Sequence, residues 1–352
     1  MSDPLRYIIV TTGGQGGHWY KQVLPRFHAT GKAIPVAAVD TNIDRLEAAR
    51  NQLGLSAEYC YTDPLEAFEK RRADFAILSV PSAMCERHLD MALTFDLNVL
   101  IDPPIAETLD AALRMYGKVR KVKRKAAVAM FQRYDQDKQT LLRLLRMPRF
   151  GRLNYLVCRF TDNNRRSPQW GRYRHEMRDP LMIEAAFQHM DVFRALADSN
   201  AKTIYTASWN PEWGEYRGDS TALVTMEMEN GVHCLYEGAK ANASTLNGWN
   251  NEYFRAECAN ATIELDRRQV RICMNVAMEQ PKIEEVPLAD QPLWGNEWVL
   301  DMFCDWLNGG DEPPTRLKDT VRASAMLFAA IKSAHTGKPV DVKEFLHKHS
   351  GD

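Results

Sequence analysis

No stretch of this 352-residue sequence reaches the roughly 20 consecutive apolar residues that a membrane-spanning helix needs. The start also lacks the charged segment and long apolar run of a secretory signal, so we expect neither a leader nor a membrane anchor. An excess of either charge is absent too, because 45 lysines and arginines face 46 aspartates and glutamates. Such a chain has no overall field that would attract nucleic acid or an anionic membrane.

Cysteine is scarce and irregularly placed. The seven cysteines are odd in number and never spaced as CxxC, which predicts reduced thiols rather than a disulfide framework or a zinc site. The sequence also lacks the GxSxG, HExxH and Walker patterns, which argues against serine-hydrolase, zinc-peptidase and P-loop chemistry. We expect a cytoplasmic protein that uses no metal.

Short apolar runs alternate with helical patterns in residues 1–130. The apolar runs predict strands at residues 5–11, 34–39, 58–61, 74–80, 98–101 and 126–130. The patterns between them predict helices at residues 45–53, 64–72, 82–95 and 108–122. Alternation of this kind is typical of an α/β Rossmann domain, a doubly wound parallel sheet with helices on both faces.

Period-two patterns replace this alternation from about residue 150. They predict strands at residues 152–160, 203–208, 222–229, 232–238, 252–257 and 262–265. One helix at 182–197 interrupts the series, and two more, at 297–307 and 320–335, close it. The second half is therefore predicted to be α+β with an open, mostly antiparallel sheet. The resulting domains are 1–130 (Rossmann), 131–340 (α+β, for substrate and oligomer contacts) and a tail at 341–352.

A glycine-rich segment follows the first predicted strand and opens the first helix. Glycines at such a place let the backbone turn sharply and approach a pyrophosphate at the helix N-terminus. Aligned with the GxGxxG pattern, the segment has Thr11 in place of the first glycine. We predict cofactor contacts from Thr11, Gly13, Gly14, Gln15 and Gly16, although a simple tight turn would also explain the glycines.

The second predicted strand ends at Asp40, 24 residues after Gly16. A carboxylate there accepts hydrogen bonds from an adenosine ribose and repels a 2′-phosphate. NAD is therefore the predicted cofactor, in preference to NADP. The other interpretation is that Asp40 only caps the helix that begins near Asn42.

Further segments complete a pattern across nearly the whole chain. Residues 77–81 read ILSVP, residues 99–106 read VLIDPPIA, residues 184–191 read EAAFQHMD, and residues 337–340 read GKPV. The first three resemble, in order, a strand that ends in Thr-Pro, a Glu-Lys-Pro signature and an Asp-x-Gly-x-His-x-x-Asp helix. With the glycine segment and Asp40, they make the sequence similar to the glucose–fructose oxidoreductase / inositol dehydrogenase / rhizopine-catabolism (Gfo/Idh/MocA) family.

The resemblance implies an NAD(P)-dependent dehydrogenase or reductase of a sugar, cyclitol or related polyol. The cofactor would bind to the first domain, with further contacts from Val80, Pro81 and Pro103, and the substrate would lie against the sheet of the second domain. In the family, the signature lysine and the helix histidine hydrogen-bond the substrate hydroxyl and move its proton. The resemblance also implies a homodimer or homotetramer packed through the second sheet.

Both of these proton-moving residues are missing here. Pro103 stands at the lysine position and Gln188 at the histidine position, and neither side chain can act as a general acid or base. His189 comes next, but one helical step is a rotation of about 100°, so it faces another way unless the helix is shifted or bulged. His189 is thus either a relocated base or a packed histidine. The catalytic candidates are His189, Gln188, Asp102 and Glu184.

Side chains suited to substrate oxygens or sugar faces follow the strand at 126–130 and recur in an arginine-rich, aromatic loop near residue 170. Arg133 could bind substrate or pair with a carboxylate for structure, and the loop could equally be structural. The predicted substrate-binding residues are Arg133, Tyr134, Trp170, Arg174, His175 and Asp191.

Alternation in residues 222–229 places Val224, Met226 and Met228 on one face of a strand, and Cys234 and Tyr236 extend the series on the next strand. One face of this sheet must serve the chain's own helices, and the other must be polar or covered. We expect a homodimer or a dimer of dimers packed through it.

The leading interpretation is an NAD-dependent oxidoreductase of a sugar, cyclitol or related polyol that uses a non-standard proton relay. The alternative is a family member without redox turnover, either a cofactor-binding regulator or a lyase or hydrolase with tightly held NAD. A third interpretation, an interaction protein without a nucleotide, rests on Thr11. The expected partners are a small-molecule substrate and further copies of the chain, with no nucleic acid and no membrane.

Overall fold

The computed structural model describes residues 3–11, 13–167, 171–274 and 280–350. It contains two compact units: Met1–Phe131 with Leu293–Val321, and Gln132–Pro292 with Arg322–Asp352. The sequence-based domains differ from this division in residues 293–321, which group with the first unit. They differ also in residues 341–352, which group with the second.

The first unit is built on a six-stranded parallel sheet. Its strands are β1 (Leu5–Val10), β2 (Ala33–Val39), β3 (Cys60–Tyr61), β4 (Phe75–Leu78), β5 (Asn98–Ile101) and β6 (Ala126–Val128). Their order is β3-β2-β1-β4-β5-β6, and every neighbouring pair is parallel. This is the strand order of a dinucleotide-binding sheet, so the predicted Rossmann arrangement is confirmed.

Polar side chains start several helices of this unit by accepting hydrogen bonds from free backbone N–H groups. Asn42, Asp63 and Thr108 do so at the starts of the third, fourth and sixth helices. The helices are α1 (Gln15–His18), a π-helical turn (Trp19–Val23), α2 (Leu24–Ala29), α3 (Ile43–Leu53), α4 (Pro64–Lys70), α5 (Ser82–Thr94) and α6 (Leu109–Val122). The four helices bounded from the sequence are found with ends that differ by two residues or fewer.

The second unit is built on a nine-stranded sheet. Its strands are β7 (Leu153–Thr161), β8 (Ala201–Trp209), β9 (Thr221–Met228), β10 (His233–Ala239), β11 (Tyr253–Cys258), β12 (Thr262–Asp266), β13 (Gln269–Met274), β14 (Lys282–Val286) and β15 (Val340–Asp341). Their order is β14-β13-β12-β11-β7-β10-β9-β8-β15. Among these strands β7 and β10 pair in parallel and the other neighbours are antiparallel, so the predicted open, mostly antiparallel sheet is confirmed.

The helix predicted at 182–197 is present, but its first part is π-helical. The remaining helical segments are α7 (Gln136–Leu145), α8 (Arg172–Glu176), the second π-helical turn (Met182–Ala186), α9 (Phe187–Ala197), α10 (Gly295–Leu307), α11 (Leu317–Thr336) and α12 (Val342–Ser350). The sequence did not predict α7, because Asp137, Lys138 and other polar residues on its buried side hide the apolar period.

Residues 293–321 belong to the first unit because α10 contacts its sheet and helices. Phe303 packs edge-on against Phe75 of β4, with ring centres 5.5 Å apart. Glu297 forms an ion pair with Arg26 of α2 at 3.2 Å. The alternating strand pattern ends near residue 130, and no motif after it indicates that a later helix returns to this sheet.

The two faces of the second sheet differ sharply in exposure. Val224, Met226 and Met228 of β9 are buried with Cys234 and Tyr236 of β10, so the chain itself covers the methionine-bearing face. The opposite face exposes large apolar side chains of three adjacent strands: Tyr205 (43%), Leu223 (44%) and Leu235 (38%). We call these three the outer-face residues.

Candidate functional site

The glycine loop lies at the carboxyl end of β1 and leads into α1. Thr11 and Gly14 both have left-handed backbones, with φ of 68° and 55°. A Cβ built on Gly16 would lie 2.0 Å from the carbonyl oxygen of Thr11, so no larger residue fits without moving the backbone. The loop is therefore tightly closed. A turn that lets the backbone approach a pyrophosphate needs this close packing.

Asp40 fastens this loop to the end of β2. Its carboxylate is buried and accepts hydrogen bonds from the backbone N–H of Gly13 at 3.1 Å and of Asn42 at 2.8 Å. The side chain that caps α3 is Asn42, which accepts from the backbone N–H of Arg45 at 3.0 Å. Asp40 therefore joins the glycine loop to the segment that precedes α3.

Asp102 lies directly after β5 and is buried. The indole Nε1 of Trp19 lies 2.8 and 2.9 Å from its two carboxylate oxygens. Burial raises the pKa of Asp102 to about 6, although hydrogen bonds from Ser79 and Trp19 oppose this rise. A carboxyl group with this pKa changes its protonation near neutral pH, as a general acid or base must.

The remaining cofactor candidates of the first unit follow adjacent strands. Val80 and Pro81 come after β4, with Pro81 directly before α5, and Pro103 comes after β5 and Asp102. The carboxyl ends of β1, β4 and β5 lie at one edge of the parallel sheet, where ligands of such folds bind. The sheet thus collects Val80, Pro81 and Pro103 on the same edge as the glycine loop. For Gln15, the structure describes only the backbone.

In the second unit, Glu184 and Gln188 lie on the helical segment that carries the family-like motif. Glu184 accepts a hydrogen bond from Arg174 Nε at 2.6 Å, and the Gln188 side-chain oxygen accepts one from the backbone N–H of Gln132 at 3.3 Å. Both side chains are therefore engaged in contacts of the chain itself. Arg174 keeps about a quarter of its side chain exposed, as a residue that meets a substrate requires.

Arg133 and Asp191 form a buried ion pair with each other. The Arg133 guanidinium contacts both Asp191 oxygens, at 2.8 and 2.9 Å, and Arg194 contacts the same carboxylate at 3.3 Å. This is the structural interpretation left open for Arg133. Tyr134, the next residue, is buried as well.

His175 is buried rather than presented at the surface. Its two ring nitrogens each lie 3.2 Å from a backbone carbonyl oxygen, those of Gly171 and Asn164, and its ring stacks on Tyr216 with centres 4.2 Å apart. These contacts fix the loop around α8. Trp170 of the same loop lies outside the described residues.

His189 is enclosed completely. Its side chain has no exposed surface, its Nδ1 lies 3.2 Å from the Tyr236 hydroxyl, and its Nε2 lies 3.8 Å from a Glu252 oxygen. Trp249 stacks on the imidazole with ring centres 5.5 Å apart. Burial lowers the pKa of His189, while Glu252 opposes that effect. The π-helical turn before α9 supplies the bulge that could redirect His189, yet the ring points into the interior.

The sequence did not single out two buried lysines of this unit. Lys138 of α7 contacts Glu252 at 2.8 Å and Asp137 at 3.4 Å, and all three side chains have at most 1% of their surface exposed. Lys240, just after β10, contacts Asp162 at 3.0 Å. A signal existed for Lys240, because it continues the buried alternation of Tyr236 on its strand, where an apolar residue is expected.

Two features are absent from the described part of the chain. No helix there is long and apolar enough to span a bilayer. No group of three or more histidine, cysteine, aspartate or glutamate side chains in the same part of the chain is arranged to hold a metal ion.

A Rossmann sheet with a tight glycine loop after its first strand and a buried acid after its second defines a dinucleotide-binding protein. The family models agree with this class. Residues 5–130 match the oxidoreductase family model for an NAD-binding Rossmann fold, and residues 143–342 match the C-terminal alpha/beta domain of the same family. The chain belongs to the Gfo/Idh/MocA oxidoreductase family, as the sequence predicted, and is an oxidoreductase family member with a nicotinamide cofactor domain.

Related proteins share this architecture along their whole length. A protein of Sinorhizobium fredii (strain NBRC 101917 / NGR234), "Uncharacterized protein y4oX", is 38% identical over 97% of this chain and 96% of its own. An oxidoreductase from Agrobacterium radiobacter, solved with NAD+, L-tartaric acid and magnesium, matches with a TM-score of 0.81 at 17% identity over 97% of this chain and 99% of its own. The WlbA dehydrogenase from Bordetella pertussis, solved with NADH and UDP-GlcNAcA, matches with a TM-score of 0.79 at 17% identity over 96% of this chain and 98% of its own. At these identities the two solved structures establish the fold alone.

Proposed function

We propose that this chain is an NAD-dependent oxidoreductase that oxidises a hydroxyl group of a sugar, cyclitol or related polyol by hydride transfer. The glycine loop carries the proposal. Gly16 packs against the Thr11 carbonyl and the Gly13 backbone N–H donates to Asp40, so the loop is held tightly closed where a dinucleotide would bind. The tartaric acid and UDP-sugar bound by two structural neighbours support a hydroxylated substrate. The proton relay would be non-standard, because Pro103 and Gln188 cannot carry protons.

The residues at the loop fit a dinucleotide. Thr11, Gly13, Gly14, Gln15 and Gly16 would form the loop against which the pyrophosphate lies. When bound, the nicotinamide accepts the hydride, so this chain's own residues must orient the substrate and take its hydroxyl proton.

Asp40 favours NAD over NADP. Its buried carboxylate lies at the end of β2, where it would face the adenosine ribose and repel a 2′-phosphate. Calorimetry should therefore give tighter binding of NAD than of NADP, and Asp40→Ala should weaken NAD binding by about 1–3 kcal/mol. Equal affinity of the wild-type chain for both cofactors would contradict this preference.

The candidates for the proton relay differ in how they are held. Both ring nitrogens of His189 lie in the closed interior, which argues against direct substrate contact. Glu184 shares its carboxylate with Arg174, which lies partly exposed beside it. Asp102 has a pKa of about 6 at the strand edge that carries the glycine loop. Glu184 and Asp102 therefore stay candidates for contact with the reacting hydroxyl.

Absorbance at 340 nm tests the proposed function. Purified wild-type chain is incubated with NAD or NADP and a panel of sugars, cyclitols, polyols and their acids, and the reverse reaction is followed with NADH and keto-sugars. Formation of NADH with at least one member of the panel is the expected result. Tight NAD binding without turnover in either direction would favour the alternative of a family member without redox activity.

We further propose that the chain forms a homodimer, or a dimer of dimers, through the outer-face residues Tyr205, Leu223 and Leu235. A groove of about 470 Å³ on this face is lined by Tyr205 and Leu235, together with Tyr155 and Arg255. An open apolar face of this kind is typical of a protein–protein contact. Light scattering at micromolar concentration should give a dimer or tetramer that Leu235→Lys dissociates. A wild-type monomer would contradict the proposal.

A further inference from the structure

Trp19 hydrogen-bonds to a carboxylate that follows a strand two places away in the parallel sheet. It lies in the π-helical turn that continues α1, and its side chain has no exposed surface. Its indole Nε1 donates to both oxygens of Asp102, at 2.8 and 2.9 Å, and Ser79 hydrogen-bonds to the same carboxylate. We call Trp19, Ser79 and Asp102 the edge network, because they lie in the segments that follow β1, β4 and β5.

The edge network spans the point where the strand order reverses. From β1 the sheet continues through β2 and β3 on one side and through β4, β5 and β6 on the other. Ligands of open parallel sheets bind in the crevice at such a point, outside the carboxyl ends of the strands. Trp19 and Asp102 therefore join segments from both halves of the sheet beside the place where a dinucleotide would lie.

The same residues fix the surroundings of the glycine loop. The helix that opens at this loop runs from Gln15 to His18 and continues into the π-helical turn at Trp19, so the indole anchors the helix at whose start the pyrophosphate would lie. A Cβ built on Gly16 would lie 3.5 Å from the Cβ of Ser79. The spacing between the loop and the end of β5 therefore depends on the edge network.

Packing alone does not call for a carboxylate at this place. Asp102 is buried, and the described partners of its carboxylate, Trp19 and Ser79, are both uncharged. Burial of a carboxylate is costly, whereas an apolar side chain opposite a phenylalanine would fill the same space. A hydrogen bond fixes both distance and direction, which an apolar contact does not. A carboxylate opposite an indole N–H therefore indicates that the placement of these two segments matters.

We propose that Trp19 is a positioning residue for the cofactor: its hydrogen bond to Asp102 holds the glycine loop and the end of β5 at the spacing that a bound dinucleotide needs. The inference rests on the proposed function, because it concerns the cofactor of that function. Neither residue has to touch the substrate in this role, and both belong to the first unit. Loss of the hydrogen bond lowers cofactor affinity while the domain stays folded.

Calorimetry with NAD tests the proposal on the full chain. Trp19→Phe removes the indole N–H and keeps an aromatic ring, and it should weaken NAD binding by about 10-fold, the effect of one hydrogen bond to a charged group. Trp306→Phe is the matched control and should bind NAD as the wild type does, since Trp306 lies on α10 of the same unit and packs edge-on against Phe303. Wild-type affinity in Trp19→Phe would overturn the proposal.

Two substitutions of Asp102 separate positioning from a general loss of packing. Asp102→Asn keeps an oxygen that can accept from Trp19, so it should weaken NAD binding less than Asp102→Val, which removes the acceptor. In the Trp19→Phe background, Asp102→Val should cause little further loss, because the two residues act through one hydrogen bond. Thermal unfolding without NAD checks that each variant is folded. Additive losses in the double variant would contradict the role of this hydrogen bond.

NMR of protein labelled with ¹⁵N at tryptophan observes the hydrogen bond itself. The indole signal that is missing from Trp19→Phe belongs to Trp19. It should shift as Asp102 titrates, because burial raises the pKa of Asp102 to about 6, and Asp102→Asn should abolish this shift. Saturation with NAD should also move the Trp19 signal and leave that of Trp306 in place. A Trp19 signal that responds to neither pH nor NAD would overturn the proposal.

The titration needs one further control. Titratable groups at this edge of the sheet include His18 on α1, Asp40 after β2, Cys85 on α5 and Glu107 before α6. His18 directly precedes Trp19, and burial lowers the pKa of its imidazole, while Gln22 and Glu297 oppose that effect. The Trp19 signal should still titrate in His18→Gln. Loss of the titration in this variant would assign it to His18 and contradict the proposal.

The outcomes also separate this role from the proposed function. NAD binding is measured without any turnover, so weakened binding by Trp19→Phe in a chain that oxidises no polyol would contradict the proposed function alone. Wild-type NAD affinity of Trp19→Phe, in a chain that forms NADH, would contradict only the role of Trp19. A wild-type chain that binds no NAD would contradict both.

Discussion

Asp102 in the first unit and Glu252 in the second are both buried carboxylates, but their partners differ in charge. Asp102 is held by the neutral donors Trp19 and Ser79, and burial raises its pKa to about 6. Glu252 is equally buried, yet Lys138 and His189 outweigh this effect and lower its pKa to about 2. A close cation therefore decides whether a buried carboxylate of this protein stays ionised.

The same contrast separates a role in proton transfer from a role in stability. A carboxylate fixed in its ionised form by a cation contributes to stability over the whole neutral range. A carboxyl group held by neutral donors remains free to change its protonation near neutral pH, which suits proton transfer. We therefore expect the Lys138–Glu252 pair to be structural and Asp102 to be the more responsive group.

Lys138→Met breaks this contrast most strongly, because it removes the cation from Glu252. A buried carboxylate that loses its partner costs about 3–5 kcal/mol of stability. Chemical denaturation of the variant at pH 7 should show a loss of this size. Lys202→Met is the control, since its pair with Glu227 is exposed to solvent and contributes little to stability. Equal losses in the two variants would contradict the interpretation.

The two carboxylates should also make the free energy of unfolding depend on pH in opposite directions. The Asp102 pKa is raised from 3.8 to about 6, so its contribution is present below pH 3.8 and is lost as the pH rises through 6. The Glu252 pKa is lowered from 4.5 to about 2, so its contribution is present above pH 4.5 and is lost as the pH falls to 2.

Asp102→Asn sharpens this test. The variant should lack the loss of unfolding free energy between pH 4 and pH 6, which in the wild type amounts to at most about 3 kcal/mol. Denaturation curves at several pH values measure the difference. Asp96→Asn, an exposed change in the same unit, is the control and should leave the profile unaltered. A profile for Asp102→Asn that parallels the wild type would contradict the raised pKa.

Gly16→Ala tests whether NAD binding by the first unit depends on the close packing of the glycine loop. The added Cβ would meet the Thr11 carbonyl, and the forced shift should weaken NAD binding by about 1–3 kcal/mol. Gly117→Ala on α6 is the matched control, because no atom lies near its added Cβ. Calorimetry that gives the wild-type affinity for Gly16→Ala would show that the loop does not hold the cofactor.

Thr11→Gly should have the smallest effect and the opposite sign. A threonine with φ of 68° is strained, and glycine adopts this conformation freely. Part of the relief is offset by the greater entropy of the unfolded chain, so we expect a gain of about 1 kcal/mol in unfolding free energy. A loss of stability in this variant would contradict the assigned strain.

These residues also mark how far the sequence predicts the structure. The tight glycine loop after the first strand and the acid after the second were predicted because both follow from local spacing, which a sequence displays directly. Lys138 was missed together with the whole of α7. The buried polar side chains of this helix pair with residues that are distant in sequence, such as Glu252, and such pairing cannot be read from local spacing. The orientation of His189 could not be predicted either, since it depends on the π-helical turn and on rings from other elements, such as Trp249.

NADH formation by the wild-type chain over a range of pH most directly tests the central claim, that this chain is a working NAD-dependent oxidoreductase. Absorbance at 340 nm is followed from pH 6 to 10 with NAD and the polyol panel. We predict NADH formation with at least one member of the panel within this pH range, although neither Pro103 nor Gln188 can move the hydroxyl proton. The absence of NADH formation at every pH, in a chain that still binds NAD, would contradict the account.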